Sequence, residues 1–130
     1  MRNNYSCENF RFWIEVNSIR FERKLENETA FDGIVKIYSL KTNNQILNKI
    51  LEKKVFGDFF CATSHGIFLR MFRNKDSWPK TTLVYIDFMS MTFKEIQKTK
   101  SSWDVWTGYD LGNEKYSIAI SPTETIEYQT

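Results

Sequence analysis

The chain has 130 residues and a net charge of +2, with 42% hydrophobic and 26% charged residues, the balance of a globular domain rather than of a disordered tail. Its cysteines, Cys7 and Cys61, are too few and too far apart for a disulfide framework, and no apolar run approaches the ~20 residues a membrane helix needs. These quantities predict one domain over residues 1–130, large enough to bury a core without covalent staples.

The unusual figure is 16% aromatic residues, eleven Phe, six Tyr and four Trp, which favours pleated structure because rings pack well on strands. The opening "MRNNYSCENFRFW" has neither an apolar h-region nor a small-residue cleavage site, so a cytoplasmic protein is expected and the sequons at Asn4 and Asn27 carry no weight. "FRFWIEV" alternates: Phe10, Phe12, Ile14 and Val16 fall on one side, Arg11, Trp13 and Glu15 on the other, as in a half-buried strand. The phase flips at Asn17-Ser18, which needs a bulge or a tight turn and makes 19–24 a second strand or a bent continuation. In "AFDGIVKIYSL", Asp32-Gly33 signals a type I′ hairpin that pairs 27–31 with 34–40.

The principal helix is expected near 43–55, in "TNNQILNKILEKK". Thr42 and Gln45 spell a capping box, Ile46, Leu47, Ile50 and Leu51 form one apolar stripe, Lys53 and Lys54 suit the end of the dipole, and Gly57 can stop it. "DFFCATSHGIFLRMFR" reads as strand, turn at Ser64-His65-Gly66, strand. In its second arm Ile67, Leu69 and Met71 oppose Phe68, Arg70 and Phe72. "TTLVYIDFMSMTF" has little polar relief and reads as a strand covered on both faces. "TFKEIQKTK" fits one helical turn or a strand edge. A final hairpin runs from 103–107 through "GYDLGN" to "KYSIAIS", Pro122 ends that strand, and 125–128 adds a short edge. The expected class is α+β: a mainly antiparallel β-sheet, sandwich or partly open barrel, with one helix.

No catalytic set accompanies these elements. His65 is the only histidine, and the turn around it separates it from Cys61 onto different arms, which argues against a Cys-His nucleophile. Structural zinc wants four ligands, and no GxSxG elbow, P-loop or GxGxxG is present. The expectation is therefore no catalytic residue, no metal and no cofactor. A nucleic-acid reading rests on Phe68, Arg70 and Phe72: two rings and a cation on one strand face are what single-strand binders use for bases and phosphates.

"SSWDVWTGYDLGN" places Trp103, Trp106 and Tyr109 among turn-forming residues. If 103–107 is extended, Trp103 and Val105 face one way and Asp104 and Trp106 the other. A face with a carboxylate is wet, so Trp106 is expected outside and Trp103 inside. Exposed rings beside Asp104, Asp110 and Glu114 would form an anchor-and-rim surface for a protein partner. Residues 42–100 hold ten Lys/Arg against five Asp/Glu, residues 101–130 one Lys against five acids; these regions either neutralise each other across one fold or form a polarised surface that orients a partner.

In size, in its unsignalled start and in its β-rich, aromatic pattern, the whole chain resembles the small cytosolic immunity proteins that bacteria carry beside secreted or contact-delivered toxins, those of contact-dependent growth inhibition included. The resemblance implies a non-catalytic inhibitor that binds a cognate toxin domain, plugging its active site or blocking its access to substrate. It makes Trp103, Asp104, Trp106, Tyr109, Asp110 and Glu114 the expected contact surface. The slightly basic balance departs from the strongly acidic immunity proteins that act on nucleases.

Overall fold

The computed structural model describes residues 10–28, 35–74, 77–99 and 104–130, with backbone alone at 77–79. Strands β1 (Arg11–Val16), β2 (Ile19–Glu28), β3 (Lys36–Thr42), β4 (Val55–Ala62), β5 (Gly66–Asn74), β6 (Ser77–Asp87) and β7 (Thr92–Thr99) form one antiparallel sheet in which sequence neighbours are also spatial neighbours. Strands β8 (Thr107–Gly112), β9 (Lys115–Ala119) and β10 (Thr125–Gln129) form a second sheet in the order β10-β9-β8. Among the described residues there is one helix, the short α1 (Gln45–Leu51), which joins β3 to β4. The chain is thus mainly antiparallel β, and both sheets are open rather than closed into a barrel.

The first strand pair shows where alternation held and where it broke. Asn17 and Ser18 have φ of 50° and 67°, the two positive values a two-residue I′ hairpin turn needs. That turn sets Val16 opposite Ile19 and accounts for the phase flip. Strict alternation fails within β1 itself: the register shifts between Phe12 and Ile14, so Trp13 packs against the core with Ile14 while Phe12 is exposed. Arg20 lies over the Phe12 ring, with its guanidinium carbon 4.5 Å from the centroid, and shields it. Strand β2 runs on to Glu28 and pairs with β3 through Asn27↔Ile37 and Glu28↔Lys36, which is the expected hairpin; the Asp32-Gly33 turn lies outside the described residues.

The helix is shorter than its pattern, covering 45–51 rather than 43–55. Thr42 is not its cap but the buried last residue of β3. Asn44 is the cap, its Oδ1 accepting from Leu47 N at 3.0 Å. Asn48 locks the junction, accepting from Thr42 N at 2.7 Å and donating to Thr42 O at 2.9 Å. Lys53 adopts φ 65° and Lys54 Nζ caps Ile50 O at 2.7 Å, so the chain turns before Gly57, which lies inside β4. Leu47 and Leu51 carry the buried stripe, and Ile46 faces out.

Strand β6 is covered on both faces, as expected, and so is β5. Ile67, Leu69, Val84 and Ile86 enter a core with Phe21, Leu40, Phe56 and the helix leucines. Phe68, Leu83 and Tyr85 enter a second core with Trp106, Tyr116, Ile118 and Ile120, under the small sheet. Of the two alternatives for "TFKEIQKT", the strand edge is the one formed, as β7. One correction concerns the tail: "TGYDLG" is strand β8 rather than a loop. The turn falls at Asn113-Glu114, with φ of 54° and 61°, and β10 then pairs along β9.

Candidate functional site

The segment 104–114 begins outside any strand. Its first residues are held by Arg70 on β5, whose Nη1 donates to the Asp104 carbonyl at 2.7 Å and whose Nε donates to Thr81 Oγ1 at 3.2 Å. The guanidinium carbon lies 4.1 Å from the Trp106 ring centroid, a cation–π contact. Phe59 meets the same indole edge-on at 5.4 Å. Trp106 is consequently 5% exposed, which overturns the expectation of an outward ring. The expectation failed because β8 starts only at Thr107, so alternation does not govern residue 106, and a buried cation offers the indole a partner. Trp103 lies outside the described residues. Burial holds the Arg70 pKa down to about 10, against the opposing pull of Asp104.

With Trp106 turned in, the apolar side chains that face water are Val105 at 86%, Tyr109 at 55% and Leu111 at 49% exposure. Val105 and Leu111 were missed from the sequence. The signal for Leu111 was its spacing of two from Tyr109, hidden while "GYDLG" was read as a loop. Asp104 is half-buried, while Asp110 and Glu114 are exposed. Asp110 Oδ1 accepts from Gly112 N at 2.8 Å, which stiffens the end of β8. Lys115–Glu127 at 3.0 Å is an ion pair of this region, and His65 Nδ1 lies 3.1 Å from Glu114 Oε1.

Glu114 also pins the hairpin to the large sheet. Its Oε1 accepts from Ser64 Oγ at 3.0 Å, and Ser64 Oγ lies 2.9 Å from His65 Nδ1. The other ring nitrogen faces Asp87 Oδ2 at 3.9 Å. These contacts tie the turn between β4 and β5 in the large sheet to the turn between β8 and β9 in the small one. Cys61 belongs to a different cluster: it packs with the second core, and burial, then the charge of Asp110, pushes its thiol pKa up, the opposite of an activated nucleophile.

The nucleic-acid face has the predicted geometry but not the accessibility. Phe68, Arg70 and Phe72 are all buried. Phe68 is enclosed by Tyr85, Tyr116 and Tyr128, with centroids at 4.7, 5.7 and 5.8 Å. The small sheet covers Phe68, and Phe72 is buried in a separate cluster with Val35, Ile37 and Val55. Among the described residues, no helix is long and apolar enough to cross a membrane. In comparisons with protein-family models, curated proteins and solved structures, nothing matched the chain.

Proposed function

We propose that the protein is a non-catalytic, protein-binding inhibitor that neutralises a cognate toxin domain, and that residues 104–114 form its contact surface. The observation that carries this reading is that Val105, Tyr109 and Leu111 are all exposed within one short segment, which also carries Asp104, Asp110 and Glu114. Large apolar side chains held out on a strand edge lower solubility and are retained where a partner covers them. An apolar centre with a charged rim is the anatomy of a specific interface. Trp106 supports the surface from beneath instead of touching the partner, because its ring is taken up by Arg70 and Phe59.

The test is co-expression with the toxin domain encoded beside this chain's gene. The two products co-purify with nanomolar affinity, and Tyr109→Ala or Leu111→Ala weakens binding about thirtyfold, the ~2 kcal/mol of a hot-spot residue, without lowering the thermal midpoint. Failure to co-purify with such a neighbour, or binding indifferent to both substitutions, rejects the reading.

A further inference from the structure

His65 stands where the two sheets meet, and a carboxylate faces each of its ring nitrogens. Nδ1 lies 3.1 Å from Glu114 Oε1, in the turn between β8 and β9, and Nε2 lies 3.9 Å from Asp87 Oδ2, at the end of β6. Both acids are held in place. Asp87 Oδ1 accepts from Met89 N at 2.8 Å and from Ser90 N at 3.2 Å, and Glu114 Oε1 accepts from Ser64 Oγ at 3.0 Å. Among the described residues no Lys or Arg is ion-paired to either carboxylate, and Lys115, next along the turn, is taken up by Glu127 at 3.0 Å. The other groups that meet this junction carry no charge. Asn17 Nδ2 donates to Ser64 O at 2.7 Å, and Phe88 N donates to His65 O at 2.8 Å. The phenols of Tyr85 and Tyr116, which meet Thr63 Oγ1 and the Ser64 backbone, are neutral wherever imidazole titrates.

A neutral imidazole has one N–H and one lone pair. With an anion at each nitrogen, either tautomer turns the lone pair onto a carboxylate, and only the doubly protonated ring has a donor for both. We propose that His65 is a proton-operated tie between the sheets: the imidazolium holds Glu114 of the small sheet and Asp87 of the large one together, and loss of one proton slackens the hold on the β8–β9 turn. The tie is tightest below about pH 6 and weakest above about pH 7, because imidazole titrates across that interval while carboxylates stay ionised. The side chains of His65, Asp87 and Glu114 are 22%, 28% and 54% exposed. Water therefore screens these contacts, and the effect is modest, about three- to fivefold in an equilibrium constant. This inference does not rest on the inhibitor reading, because none of these contacts involves Val105, Tyr109 or Leu111.

A double-mutant cycle on the full chain tests it, with His65→Gln, Glu114→Gln and the two together, each unfolded in urea at about pH 5.5 and about pH 8, on either side of the imidazole titration. Glu114→Gln keeps an acceptor for Ser64 Oγ and removes the charge, and the cycle cancels every titration outside the pair. The expected coupling is about three- to fivefold in the unfolding constant at the lower pH and less than about twofold at the higher. Asp87→Asn, put through the same cycle, gives a smaller coupling with the same pH dependence, because its contact is longer at 3.9 Å. NMR of the unaltered protein supplies a reading that needs no variant to fold: the side-chain carboxyl carbon of Glu114 shows a step at the midpoint of the His65 imidazole titration. Equal coupling at both pH values would mean a hydrogen bond indifferent to the charge of the ring. Coupling to Asp87 alone, or to neither acid, would mean that no proton-dependent contact joins the sheets. Each of these results overturns the proposal, as does a Glu114 carboxyl resonance that ignores the imidazole titration. No measurement involves a toxin domain, so this failure and a failure of co-purification are separate outcomes.

Discussion

Gly108 shows how one missing side chain lets the two sheets meet. A Cβ there would lie 2.5 Å from Cys61 Sγ, 2.9 Å from Cys61 Cβ and 3.3 Å from Ile118 Cδ1. The nearest obstacle includes the root of the cysteine, not just the tip of a flexible chain, so β8 would have to lift from β4. Gly108→Ala should therefore cost ~1–3 kcal/mol, the usual penalty of overpacking, measured by urea denaturation. Adding Cys61→Ala should recover part of that loss, because the closest atom is gone, and the double-mutant cycle should show coupling between the two positions. Strict additivity would mean that the sheets do not meet here. The same local view explains the error at Trp106. A rule based on alternation predicts the side of a strand, and Trp106 precedes the strand; what fixes its direction is Arg70, remote in sequence and invisible to a local pattern.

At the scale of elements, the seven-residue helix is too short to persist alone. Its stability comes from burial of Leu47 and Leu51 and from the polar junction of Thr42, Asn44 and Asn48. Asn44→Ala removes the cap on Leu47 N and should destabilise the fold by about 1 kcal/mol. Gln45→Ala, which a capping box starting at Thr42 would make costly, should stay within ~0.5 kcal/mol because that box is not formed. Chemical denaturation of both variants distinguishes the two caps, and equal losses would reject the assignment to Asn44. Much of the element order was legible from spacing. The turn at Ser64-His65, the two-faced pattern of β5 and the apolar run of β6 were each set by local alternation that tertiary structure then used. The bulge at Trp13 and the glycine-free turn at Asn113-Glu114 were not legible. Both depend on which register buries more surface across the sheet, a quantity that no single strand contains. The candidate surface was legible only in part: Tyr109, Asp110 and Glu114 face out as expected, whereas Val105 and Leu111 emerged once β8 was placed.

The whole molecule depends on the seam between its sheets, and that seam is built from phenols. Tyr85 of the large sheet and Tyr116 of the small one share the second core with Phe68, and Tyr85 Oη lies 2.9 Å from Thr63 Oγ1. Burial is the largest influence on both, and it raises each pKa above the ordinary 10.0. A folded-state value above the unfolded one means that the native chain holds its proton more tightly. The associated stability is complete below pH 10.0 and is lost as pH rises from there through the folded-state values. Alkaline titration should therefore show tyrosinate absorbance rising in two stages, an early one from exposed phenols and a late one from the seam. The late stage should coincide with loss of near-ultraviolet circular dichroism, because ionising Tyr85 or Tyr116 places a charge between apolar layers and parts the sheets. Tyr116→Phe should shrink the late stage and flatten the fall of stability above pH 10.0, although it leaves the early stage intact. A single smooth titration with the dichroism preserved would mean that water reaches these phenols and that the small sheet does not seal the core.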